Sequence, residues 1–168
     1  MATTHPGRVV LRQLAATLAY RAAKVLRDAP SGFGQQTFGD SPRQPVRIVA
    51  HMADLMTWGV SMAAGGKEWK AEGGDDWAAE VERFFTGLAA LDAAIAVDGP
   101  FAGSIDKLIQ GPLADALTHV GQLSMLRGMA GAPVRPESYA RANIVAGRVG
   151  LDQAPPGFEF DGDASAKR

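Results

Sequence analysis

Pro45-Val-Arg-Ile-Val-Ala-His-Met-Ala-Asp-Leu-Met-Thr-Trp-Gly-Val60 carries the pattern that decides the fold. Val46, Val49, Met52, Met56 and Val60 recur at steps of three and four, which places their side chains on one face of an α-helix. The helix starts at Ser41-Pro42 or at Pro45, since proline suits a first turn whose amide donors have no intrahelical partner. Gly65-Gly66 stops it. His51 lies mid-helix on a stripe with Asp54, Leu55, Trp58 and Met62.

The same period recurs on either side. Val10, Leu14, Leu18 and Val25, joined by Leu11 and Leu26, predict a helix over 8–28, ended by Pro30-Ser-Gly-Phe-Gly34. Asp75 or Asp76 caps a third helix, whose stripe is Trp77, Val81, Phe84, Phe85, Leu88 and Leu91; Asp98-Gly-Pro100 breaks it. A short turn over 104–109 precedes a fourth helix opened by Gly111-Pro112 and carried by Leu113, Leu117, Val120, Leu123 and Leu126 to about Met129. A short additional helix is expected over 136–146, and an irregular tail from about 148. Four long amphipathic patterns without a period-2 run predict an all-α fold, a four-helix bundle in one domain over 1–168.

Composition narrows the chemistry. The formal net charge of −1 gives no electrostatic reason to expect nucleic acid as a partner. No apolar run nears the ~20 residues that cross a bilayer, so no membrane is expected. The first residues lack a basic segment followed by an apolar run, and a cytoplasmic location is the expectation. Cysteine is absent, which removes thiolate metal sites and cysteine nucleophiles and leaves histidine and carboxylates as the strong metal ligands. There is no Walker-type loop, dinucleotide fingerprint or Gly-x-Ser-x-Gly elbow.

Asp115-Ala-Leu-Thr-His119-Val-Gly-Gln122 holds the candidate ligands. Residues four apart on a helix are neighbours, so Asp115 and His119 share a face, with Gln122 one step along it. A third ligand must come from a facing helix, and His51 is the candidate. The spacing alone is weak. With 18 acids in 168 residues, roughly a third of histidines gain an acidic helical neighbour by chance. Asp54 stands at such a spacing from His51, as a partner orienting the ring or as a surface acid. His5, before Pro6, is expected to be a frayed terminal residue. Trp58 is expected in the core, Trp69 and Trp77 in the core or an interface, and Lys67, Glu68, Lys70 and Glu72 in solvent.

At these residues the chain resembles the DinB-like (damage-inducible, YfiT-related) superfamily. Ile48-Val-Ala-His51-Met-Ala-Asp54 resembles the family's second-helix segment with its first metal histidine. Asp115-Ala-Leu-Thr-His119-Val-Gly-Gln122-Leu resembles its His-x-x-x-His-x-Gly-Gln segment. Order and separation fit as far as about Arg127. Asp115 stands where the common pattern has histidine, and Val120 where the family often carries arginine. The resemblance implies a DinB-like four-helix bundle, often a homodimer. It implies one divalent ion, Zn, Ni, Fe or Mn, on His51, Asp115 and His119. It also implies an unidentified small-molecule substrate, with low-molecular-weight thiols among those used by relatives and hydrolase or thiol-dependent transferase chemistry open. One rival is a non-enzymatic small-molecule-binding or stress-associated bundle with a vestigial metal site. Another is a structural dimerisation module.

Overall fold

The computed structural model describes residues 5–41 and 43–160. Four long helices build it: α1 (Pro6–Leu26), α2 (Pro45–Ala63), α3 (Trp77–Ala96) and α5 (Ala114–Met129). A four-residue helix, α4 (Ile105–Leu108), and a π turn (Ile109–Leu113) lead into α5. The chain is all-α, and among the described residues no helix is long and apolar enough to cross a membrane.

α2 is the central element, packing on both α3 and α5. It begins at Pro45; Pro42, the other candidate start, lies outside the described residues. Val46, Val49, Met52 and Met56 are fully buried, as their spacing predicts, while Val60 is half-buried. α3 starts on the side chain of Asp76, whose Oδ1 accepts from the Ala79 amide at 2.7 Å. It buries Phe84, Leu88, Leu91 and Ile95. Two glycines let α2 and α3 approach closely: a Cβ on Gly87 would sit 2.9 Å from the Met56 Cβ, and one on Gly59 would sit 3.1 Å from a Leu91 methyl.

α1 departs from its expected stripe. Leu11, Leu18, Val25 and Leu26 are buried with a row of alanines, but Val10 is 56% exposed. Periodicity placed Val10 in the stripe, and tertiary packing turns that position outward and buries small residues instead. His5 is no frayed end. Its Nδ1 accepts from the Gly7 amide at 3.1 Å and caps α1.

Gly111 and Pro112 mark a kink between two helical segments, at the place where the sequence predicts the fourth helix to open. Proline donates no amide hydrogen and Gly111 adopts non-helical φ −91, ψ −106, so the hydrogen-bond ladder widens into the π turn just before Asp115.

The short helix expected over 136–146 is reduced to one 3-10 turn, Tyr139–Arg141. Long-range pairing holds the backbone before it extended. Ser138 N donates to Phe158 O at 3.1 Å and Phe160 N to Pro136 O at 3.0 Å. Part of the tail is thereby tied down; Asp161-Gly-Asp163 lies outside the described residues. Glu137 fixes this pair to α1. Tyr20 Oη donates to its Oε1 at 2.8 Å, and Lys24 Nζ to its Oε2 at 2.7 Å and to Glu159 at 2.8 Å.

Burial opposes ionisation of Glu137, but the hydrogen bonds from Lys24 and Tyr20 outweigh it and hold the carboxyl below its usual pKa. A depressed folded value contributes stability above the unfolded pKa of about 4.3, and that contribution is lost as pH falls through the folded value. In urea titrations from pH 6 to pH 3, the stability gap between wild type and Glu137→Gln is therefore expected to narrow with acid. A constant gap would detach Glu137 from the acid response.

Candidate metal centre

α2 supplies His51, and the first turns of α5 supply Asp115 and His119. The π turn delivers Asp115 to the face that looks at α2. A ligand atom from each of the three residues lies within 4.8 Å of the others. His51 Nε2 is 3.4 Å from Asp115 Oδ2, across 64 residues of chain. His119 Nε2 is 3.3 Å from Asp115 Oδ1. The two imidazole rings stand edge to face, 4.9 Å apart at 87°. The three residues singled out from the sequence thus converge.

Exposure grades across the group. The His119 side chain is 6% exposed, that of His51 27% and that of Asp115 44%. The site is closed around His119 and open beside the Asp115 carboxylate, as a centre that admits a small molecule requires.

Gln122 holds the His119 ring. Its Oε1 lies 2.8 Å from His119 Nδ1. Which of the two groups donates follows the ring tautomer and the orientation of the amide. Burial is the largest influence on the ring and lowers its pKa; the Gln122 bond and the Asp115 charge raise it without reversing the shift. Nε2 of the same ring faces Asp115 Oδ1 at 3.3 Å: protonated there, the neutral ring donates to the carboxylate, and with a bare lone pair the two can share a cation.

The donor set fits a divalent ion by its chemistry: two imidazole nitrogens and a carboxylate, with one donor atom of each within 4.8 Å of the others.

Two neighbours differ from expectation, and Val120 does not. Asp54 does not orient His51. Its Oδ1 takes Arg83 Nη1 at 2.7 Å and the Glu72 amide at 3.2 Å. Trp69 is 45% exposed and packs against His51, ring centroids 5.6 Å apart, with Trp58 at 5.7 Å on its other side. Trp69 sits inside the run of lysines and glutamates, Lys67 to Glu72, that reads as plain solvent-facing loop, so its sequence context gives no hint of the site. Val120 is buried in the core.

Comparison with protein-family models, curated proteins and solved structures gives no match for this chain.

Proposed function

We propose that the protein is a divalent-metal-dependent enzyme of the DinB-like class, with His51, Asp115 and His119 holding one ion. The observation that carries this reading is the convergence of two imidazoles and one carboxylate from facing helices, with a ligand atom of each within 4.8 Å of the others. The family assignment is supported by the two sequence segments, which fall on α2 and α5 with their polar residues facing one another.

A bound ion here would supply Lewis acidity, polarising a carbonyl or lowering the pKa of a coordinated water or thiol. Everything else falls to the chain. Asp115 adds a negative charge that a third histidine would lack, favouring cation binding over acidification of what the cation holds. Two imidazoles and one carboxylate suit zinc and also iron, nickel or manganese. Gln122 fixes the ring orientation of His119, as a hydrogen-bond partner behind a metal-bound histidine does. Trp69 packs on the His51 ring and restricts its rotation. The substrate is a small molecule, with a low-molecular-weight thiol as one class to test and hydrolysis or thiol-dependent transfer as the reactions.

The test is metal uptake by untagged, chelator-stripped protein, measured by equilibrium dialysis against zinc, nickel, iron(II) and manganese separately. One equivalent of at least one metal is expected. Failure of all four would overturn the reading and favour a non-enzymatic bundle, whose Asp115 simply bridges two histidines by hydrogen bonds.

A further inference from the structure

A cleft of about 340 Å³ opens beside the centre, between the start of α2 with the loop before it and the second half of α5. Gln122 belongs to both: its Oε1 holds His119, and the residue also lines the cleft. The volume is at the small end of the range for small-molecule sites. The walls are largely apolar, from Phe38, Ile48, Met125 and Met129. Met125 and Met129 are 62% and 60% exposed, so two thioether side chains one helical turn apart stand in solvent along the rim. Such flexible, polarisable side chains adapt to varied apolar bodies.

Arg43 is the single charged residue lining this cleft. Its neighbours in charge are occupied: Arg47 pairs with Asp75, and Arg83 with Asp54 and Glu80. Among the described residues no carboxylate pairs with Arg43, whose only hydrogen bond runs from its backbone amide to Ser41 Oγ. A second cleft, about 390 Å³, lies near Trp58, Lys67 and Lys107, but it shares no residue with the triad or with Gln122.

We propose that the cleft beside His119 is the substrate-binding subsite, and that it takes a small molecule with an anionic group on an apolar body. Arg43 receives the anion, and Phe38, Ile48 and the two methionines cover the body. A planar guanidinium without a protein partner matches a carboxylate bidentately. The placement of this subsite beside a reacting centre rests on the metal reading; the binding itself does not.

The probe is octanoate, with octylammonium and octanol as matched controls, titrated into the full untagged chain with methyl-labelled methionines. Octanoate is expected to shift the Met125 and Met129 signals saturably, and octylammonium is not. Arg43→Gln, at an exposed position, is expected to weaken octanoate by about tenfold or more, the loss of a charge-assisted hydrogen bond. Lys67→Gln, in the other cleft, is expected to leave it unchanged. Equal binding of all three probes, or an unchanged affinity in Arg43→Gln, overturns the proposal. Each titration is run on stripped and metal-loaded protein. Arg43-dependent binding by a chain that takes up no metal sinks the metal reading and leaves this one standing. Binding that needs metal and ignores Arg43 overturns this one alone.

Discussion

Asp115→Ala is expected to purify without stoichiometric metal, even when its helices are intact. The carboxylate lies between the two imidazoles, 3.3 Å from one and 3.4 Å from the other, so no other side chain can take its place. The loss should exceed the roughly 10–100-fold that removing a supporting hydrogen-bond partner costs. Gln122→Leu provides that smaller step, because it frees the His119 ring without removing a donor atom. Asp115→His restores the histidine of the DinB-like pattern and is expected to keep the metal. Folding does not confound the series. Asp115 is partly exposed in the first turn of α5, where its interaction with the helix dipole contributes about 0.3–1 kcal/mol. Chelator competition measures each affinity and circular dichroism checks the fold. Wild-type metal content in Asp115→Ala would remove Asp115 from the ligand set.

The graded series also bears on why aspartate serves here. A carboxylate with two oxygens reaches both imidazoles at once, while a histidine in its place would offer one nitrogen. Asp115 follows directly on the π turn. The same residues, Gly111 and Pro112, that break the helical ladder also pack against α2: a Cβ on Gly111 would lie 3.4 Å from the Trp58 ring. Backbone irregularity and ligand geometry are thus coupled within one turn of chain.

The helices and the triad were legible because both depend on local spacing. Val46, Val49, Met52 and Met56 mark α2 by period alone, and Asp76 caps α3, one of the two candidate caps the sequence offers. What stayed hidden depends on partners distant in sequence. Asp54 looks like an orienting group for His51 until Arg83, 29 residues away, is seen to claim it. Trp69 and Arg43 sit in loops whose composition signals only solvent, and tertiary packing alone brings them to the centre. The extended pair around Glu137 and Glu159 defeated the expected C-terminal helix because its hydrogen bonds span 20 and 24 residues.

Arg127 joins this hidden group, and its removal is expected to produce the largest loss of stability away from the metal centre. The residue is 7% exposed, near the end of α5. Its guanidinium donates to the carbonyls of Val25 at 2.7 Å, Arg27 at 3.1 Å, Asp28 at 3.2 Å and Ala132 at 3.0 Å. These carbonyls lie at the C-terminal ends of α1 and α5, where helices leave acceptors unpaired and a cation is favoured by both dipoles. Burial lowers the guanidinium's pKa, and the nearby Asp28 charge opposes that shift. Arg127→Met fills the volume but strands four acceptors, so a destabilisation of about 3 kcal/mol is expected. Arg127→Lys keeps the charge, yet a compact ammonium cannot span the same fork of carbonyls, and it should recover only part of the loss. Urea midpoints should fall with the slope unchanged. Folded Arg127→Met should still bind one metal, since the position is about 12 Å along the helix from His119. Wild-type midpoints in both variants would mean that water replaces the guanidinium without cost, and the two helix ends would then be held together by their apolar contacts alone.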